Sequence, residues 1–113
     1  MKNAAALTEP VQQGEVLLFP EESLPAEATK VEPVGGRHVL AQGTATGHAH
    51  AISDIAGSSL YRTVEGVLWL QASHTVDLQH EEHRAAPIPA GTYRVGIART
   101  VDPYQRAIQA VQD

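Results

Sequence analysis

Short apolar segments separated by turn residues fill the middle of the chain, and this pattern limits the fold more than any other feature. Residues 14–19 and 91–98 each carry aliphatic or aromatic side chains over a length typical of one β-strand. Between residues 60 and 72, two such segments flank Glu65 and Gly66, which indicates a hairpin. Repeated short strands of this kind predict an all-β sandwich or small barrel.

Both ends of the chain lack the strand pattern. We expect residues 1–13 to form a flexible arm and residues 14–113 to form one domain, because a chain of 113 residues is the size of a single small domain. Near the end, Asp102 fits a helix N-cap, Pro103 fits the first helical position and Gln105 completes a capping box. A short C-terminal helix is therefore predicted from about Pro103.

Proline, glycine and tryptophan add three local predictions. The strand at residues 14–19 is expected to stop at Pro20. Residues 21–36 contain prolines and a glycine pair, and they are expected to form a surface loop. Trp69 is expected in the core, since tryptophan is highly buried on average.

The composition excludes several classes of function. The chain has no cysteine, which excludes disulfides, thiolate zinc sites, iron–sulfur clusters and cysteine nucleophiles. A net charge of −5 without any run of Lys or Arg argues against nucleic acid as a partner. No apolar stretch reaches the roughly 20 residues of a membrane-spanning helix, so no membrane partner is expected. The N-terminal residues do not resemble a signal peptide, and the compartment stays open because a mature secreted form would look the same.

Four of the six histidines fall in two clusters. His48 and His50 form a His-x-His pair, and His80 and His83 form a His-x-x-His pair. Residues i and i+2 of a strand face the same side of a sheet, about 6.6–6.8 Å apart along the chain. His48 and His50 are therefore predicted to bind one metal ion together with at least one of His80 and His83.

The second histidine pair needs a turn to act as a unit. On a regular strand His80 and His83 face opposite sides, so both can bind one ion only if Glu81 and Glu82 bend the chain. Ligands that are all imidazole suit copper, zinc, iron or nickel, and copper is favoured because the affinity of divalent ions peaks there. We expect one transition-metal ion per chain, with zinc and iron as the alternatives to copper. The competing interpretation is that these histidines are solvent-exposed side chains on a loop and a strand edge, since such short pairs also occur by chance.

The order of these features resembles that of the cupin superfamily over about residues 37–98. The matching positions are, in chain order, Gly43, His48, His50, Asp54 and the Pro89-Ala90-Gly91 turn. The sequence departs from the cupin pattern at Asp54, where glutamate is usual, and at Arg94, where the third histidine is usual. Gly43 is also one residue too close to the histidines, and the cluster of His80 and His83 is the candidate replacement for the missing ligand.

The chain is also similar in length, lack of cysteine and histidine content to compact copper cupins that cleave cellulose oxidatively. This resemblance implies a cupin-like jelly roll, a homodimer, and copper held mainly by imidazoles. It further implies a metal-dependent oxidoreductase that attacks the chain end of a polysaccharide such as cellulose, or another carbohydrate or small-molecule substrate. The small core that 113 residues can build independently favours a homodimer. The sequence does not identify the catalytic residues.

Two other classes of function remain. One is a non-catalytic module in which the ion is structural, or which binds a small ligand or sugar. The other is a trimer in which His48 and His50 of three chains hold one axial ion. A ratio of one ion to three chains would identify the trimer, and an open ligand position would identify the enzyme, because closed metal sites are structural.

Overall fold

The computed structural model of the chain describes residues 9–42 and 48–98, and over those residues the protein is all-β, as the sequence predicts. Every strand pairs with an antiparallel neighbour. The strands in chain order are β1 (Val11–Gln13), β2 (Val16–Glu21), β3 (Thr29–Val31), β4 (His38–Gln42), β5 (Ala49–Ile52), β6 (Ser58–Arg62), β7 (Leu68–Ala72), β8 (Val76–Leu78), β9 (Ala86–Ile88) and β10 (Gly91–Ile97).

The larger sheet has six strands in the order β1-β2-β10-β7-β6-β3. Successive side chains along its longer strands point in turn to a buried face and to a partly exposed face, as expected for a half-buried sheet. Along β2, Val16 and Leu18 are fully buried, whereas Leu17 and Phe19 are only half-buried. The β6–β7 hairpin predicted around Glu65 is present in this sheet.

The second layer consists of the β4–β5 and β8–β9 pairs. Ala51 and Gln79 join the two pairs through reciprocal backbone hydrogen bonds, with N–O distances of 2.9 and 2.8 Å. This bridge places the segment that follows β8 next to β5. The two histidine clusters of the sequence therefore meet at one place in the fold.

The core contains apolar side chains from both layers. Its members include Val16, Leu18, Leu40, Ile52, Leu60, Leu70, Val76, Leu78, Ile88 and Tyr93. Tyr93 is fully buried, and its hydroxyl donates a 2.7 Å hydrogen bond to the carbonyl of Pro89. Burial raises the pKa of Tyr93 above its usual value. The bond satisfies a phenol that the core would otherwise leave without a partner.

Several local predictions need correction. β2 continues through Pro20 to Glu21, because Pro20 aligns with Tyr93 of β10 without breaking the pairing. The predicted loop at residues 21–36 contains the edge strand β3, which pairs with β6. Residues 11–13 of the predicted arm form β1 and pair with β2.

Trp69 is half-buried rather than part of the core, because it alternates with the buried Leu70 and so belongs to the outer face of β7. The predicted helix from about Pro103 lies outside the described residues. Within residues 9–42 and 48–98, no helix has the length and apolar character needed to cross a membrane.

Candidate metal centre

The candidate site lies where β5 meets the turn between β8 and β9. His50 is a buried residue of β5. His80 and His83 belong to the turn, which is bent at residues 81–83. This bend meets the condition set by the sequence, because it lets His80 and His83 reach the same side of the chain.

His50, His80 and His83 form the first group of potential metal ligands. One nitrogen atom from each ring lies within 4.8 Å of the other two. The ring centroid of His80 lies 4.3 Å from that of His50 and 4.6 Å from that of His83. A tetrahedral ion with metal–nitrogen bonds of about 2.0–2.1 Å separates its ligand atoms by about 3.4 Å. The nitrogen atoms of each pair would therefore approach by at most about 1.4 Å to bind one ion.

Gln13 of β1 fixes the orientation of His50. The Gln13 amide nitrogen donates to the carbonyls of Leu78 (2.7 Å) and Arg84 (2.9 Å), which uses both of its N–H groups. The amide oxygen lies 2.9 Å from Nδ1 of His50 and can only accept. His50 must therefore carry its proton on Nδ1, and Nε2 keeps the lone pair. Metal-binding histidines usually donate their other N–H group to an acceptor in this way.

The surroundings of His50 also favour its neutral form. Burial lowers the pKa of His50 below 6.5, and the neighbouring His80 lowers it further. The carboxylate of Glu15 acts in the opposite direction and does not outweigh burial. Only the neutral ring can bind a metal ion, so burial and the Gln13 contact both prepare Nε2 of His50 for coordination.

His48, His80 and Glu81 form a second group that meets the same 4.8 Å condition. The Glu81 carboxylate accepts a 3.2 Å hydrogen bond from the backbone N–H of Ala49. Bonds from the backbone N–H groups of Glu81 itself and of Ala49 lower the pKa of the Glu81 carboxyl. Glu81 is therefore ionised and held against the start of β5, although its side chain is exposed.

Gly14, in the turn between β1 and β2, lies directly against the first group. A Cβ atom at this position would come within 2.8 Å of Nε2 of His83 and 3.2 Å of Cε1 of His50. Gly14 also has a φ of +57°, which residues with a side chain rarely adopt. The glycine thus leaves room for the two imidazoles.

The structure brings together all four predicted histidines, but in an arrangement that the sequence did not suggest. His50 groups with His80 and His83, whereas His48 groups with His80 and Glu81. His48 precedes β5, is half-buried, and has Nδ1 3.4 Å from a carboxylate oxygen of Glu82. Gln13 and Gly14 belong to no motif that predicts a role at this site. Gln13 lay in the predicted arm, and the three residues of β1 are too few to show a periodic pattern.

The cupin-like acidic position has different neighbours. Asp54 accepts hydrogen bonds from Nε2 of His74 (2.8 Å) and from the backbone N–H of Gly57 (2.9 Å). Arg94 pairs with Glu21 at 3.2 Å and stacks on Phe19. Neither Asp54 nor Arg94 belongs to the two histidine groups. The resemblance to cupins stays a prediction.

Comparison with known proteins identifies a family. A model of the family described as a domain of unknown function, DUF8820, matches residues 12–98. No curated protein and no solved structure matches the chain. The matched segment includes both histidine groups, Gln13 and Gly14. Because it spans most of the sequence, the chain belongs to the DUF8820 family.

Proposed function

We propose that this DUF8820 protein binds one transition-metal ion through His50, His80 and His83. The observation that carries the proposal is the contact between Gln13 and His50, because it leaves Nε2 of a buried, neutral imidazole available for a ligand role. Copper is the favoured ion, since three neutral imidazoles without a thiolate suit Cu(II) and the affinity of divalent ions is highest there. Zinc and iron are the alternatives.

We further propose that the ion takes part in a reaction and does not only stabilise the fold. Three protein ligands leave a coordination position open, as in catalytic metal sites, whereas structural sites have a closed set. His80 and His83 are also only partly covered by protein, so the open position faces solvent. With copper, such a site supports oxidation by oxygen or peroxide, which makes a metal-dependent oxidoreductase the leading activity.

The space beside the site supports a small substrate or the end of a longer one. A cavity of about 230 Å³ is lined by Arg37, Ala49, Gln79, His80 and Glu81. This volume lies below the roughly 300–1,000 Å³ of typical ligand pockets. Because the cavity is small, the proposed substrate is a small molecule or the end of a carbohydrate chain such as cellulose.

The trimeric alternative has less support than a site within one chain. The group of His50, His80 and His83 is complete without a neighbouring molecule. An axial ion held by His48 and His50 of three chains would have to reach His50, which is buried within its own chain. A non-catalytic metal-binding module remains the second candidate function, and removal of the ion separates it from the enzyme.

Metal content of purified variants tests the proposal. Wild type loaded with Cu(II) and passed over a desalting column should retain one ion per chain, with nitrogen hyperfine structure in its EPR spectrum. His50→Ala and His83→Ala should each lose most of the ion, whereas His74→Ala, which removes a histidine outside both groups, should retain it. Equal retention in all three variants would refute the site.

Activity and folding then separate the two candidate functions. Copper-loaded wild type, given a reductant and oxygen or peroxide, should release oxidised products from cello-oligosaccharides, as measured by mass spectrometry. His50→Ala should be inactive while its circular dichroism spectrum keeps the β signal. Loss of the fold together with the ion would assign the ion a structural role.

A further inference from the structure

His80 belongs to both groups of potential ligands, and this overlap limits how the groups can be used. The backbone N–H of Glu82 donates a 3.0 Å hydrogen bond to Nδ1 of His80. A neutral imidazole has one protonated nitrogen and one lone pair. His80 can therefore bind one ion at a time, and the two groups are alternative positions for a single ion.

The two positions differ in exposure and in ligand type. The inner position, formed by His50, His80 and His83, joins a buried imidazole that Gln13 orients to the exposed ring of His83. The outer position, formed by His48, His80 and Glu81, contains a carboxylate and no buried ligand. His80 and Glu81 of the outer position line the 230 Å³ cavity, which opens toward solvent.

We infer that the outer group is a capture position, through which a metal ion passes on its way to and from the inner position. The inference rests on the proposed function, since it requires an ion at the inner position. A hydrated divalent ion first meets the carboxylate of Glu81, because the outer group is the one that contains an oxygen ligand, whereas the inner group contains imidazoles alone. His80 then transfers the ion inward, because it is the one ligand that both positions share.

The turn itself connects the two positions. Coordination through Nδ1 of His80 breaks the bond from the Glu82 N–H group, and coordination through Nε2 moves the ring proton to Nδ1 and breaks the same bond. In either case the bend at residues 81–83 must adjust as the ion binds. Glu81 lies in this bend, directly after His80, so the ligand that both groups share adjoins the carboxylate of the outer group.

Stopped-flow kinetics of Cu(II) binding, followed by absorbance, tests the inference. Release is measured separately by mixing the loaded protein with excess EDTA. Glu81→Gln should slow uptake and release by a similar factor, on the order of tenfold, since the loss of a transit contact worth about 1.4 kcal/mol changes a rate tenfold. The equilibrium affinity should then change little, because a group visited only in transit affects both directions. His83→Ala should instead speed release and weaken affinity.

Asp77→Asn is the control, because it removes one exposed carboxylate from the neighbouring strand β8 and lies outside both groups. It should slow uptake much less than Glu81→Gln. Equal slowing in the two variants would mean that the negative charge only attracts the ion, and would overturn the capture position. Uptake at the wild-type rate in Glu81→Gln, or two ions per wild-type chain, would also overturn it.

The failure of the proposed function would look different. Wild type that binds no Cu(II), or His83→Ala that retains it fully, would reject the inner position itself. Loss of affinity without slower uptake in Glu81→Gln would leave a metal site in place but make Glu81 a ligand of the resting ion.

Discussion

Gln13 shows how a single side chain can prepare a metal ligand. Its amide has no rotational ambiguity, because both N–H groups are used by backbone carbonyls and only the oxygen faces His50. The contact selects one tautomer of His50 before any ion arrives. Reorienting a ring or moving its proton would otherwise oppose binding, so the contact should contribute to affinity.

The first prediction concerns this contact. Gln13→Ala should weaken Cu(II) affinity by about 10–100-fold, the usual effect of removing a partner of a metal-binding histidine. Gln13→Glu keeps an acceptor for His50 but loses the N–H donors, so it should lower stability and retain more of the affinity. Competition with a chelator and thermal unfolding measure the two effects. Gln71→Ala, a glutamine variant outside the site, should bind Cu(II) like wild type. An affinity of Gln13→Ala equal to that of wild type would contradict the role of the contact.

The second prediction concerns Asp54 and His74, which lie outside both histidine groups. The hydrogen bond from His74, followed by that from Gly57, lowers the pKa of the Asp54 carboxyl below 3.8. Because the folded-state pKa is the lower one, the contact stabilises the fold above the unfolded-state pKa, and this contribution is lost as the pH falls through the folded-state pKa. NMR titration of Asp54 should show the low pKa, and His74→Ala should raise it. An unchanged midpoint in His74→Ala would show that the contact does not form in solution.

At this scale the sequence identified residue types better than partners. It selected all four histidines of the two groups, because histidine clusters are visible as short motifs. It did not predict that His48 and His50 belong to different groups. The i, i+2 rule places two side chains on one face only where both residues belong to the strand, and His48 precedes β5. His50 contacts Gln13, whereas His48 lies beside Glu82, so the two rings have different neighbours.

The elements that build the site are mostly turns. The β1–β2 turn supplies Gly14, and the β8–β9 turn supplies His80 and His83. Both turns are positioned by short strands that the sequence analysis missed. β1 and β9 have three residues each, and β9 contains Pro87, so neither offers enough alternation to be recognised. β10 was predicted because its seven residues alternate clearly about the buried Tyr93 and Val95.

The third prediction concerns the β1–β2 turn. Gly14→Ala should lose about 1–2 kcal/mol of stability from its positive φ, and it should also weaken ion binding because the new methyl group displaces His83. Gly35→Ala is the matched control, since Gly35 has a φ of +62° but no atom within 4 Å of a new Cβ. It should lose similar stability and bind Cu(II) normally. Calorimetry measures the loss of stability from backbone strain, and chelator competition measures the loss of Cu(II) affinity from displacement of His83. Normal Cu(II) binding by Gly14→Ala would contradict the close packing of Gly14 against His83.

The homodimer suggested by the small core stays a prediction. β3 is an edge strand of the six-stranded sheet, and Val64, which is 88% exposed, lines the same cavity as β3. An unpaired edge beside an exposed valine is a candidate contact surface.

The fourth prediction tests this surface by light scattering. Wild type at micromolar concentration should have twice the 12.1 kDa mass of one chain. Val64→Asp should shift the protein toward the monomer, because a carboxylate is costly to bury in an interface. Val34→Asp, which changes another exposed valine outside β3, should leave the dimer intact. A monomeric wild type would reject the dimer, and a dimeric Val64→Asp would reject the surface.

The fifth prediction follows from where the ion would act in the fold. His50 belongs to β5, and His80 and His83 belong to the β8–β9 turn, so an ion held by them adds a link inside the second layer. Gln13 extends this link to β1 of the six-stranded sheet through its bonds to Leu78 and Arg84. An ion that binds only the folded protein stabilises it by about 2.7 kcal/mol at 100 times the dissociation constant. For a domain of this size that corresponds to a rise in melting temperature on the order of 10 °C.

Differential scanning calorimetry with and without Cu(II) should show this rise in wild type and little of it in His83→Ala, while His74→Ala should respond as wild type does. A rise of equal size in His83→Ala would mean that copper stabilises the protein at another site, and the link between the two layers would then lose its support.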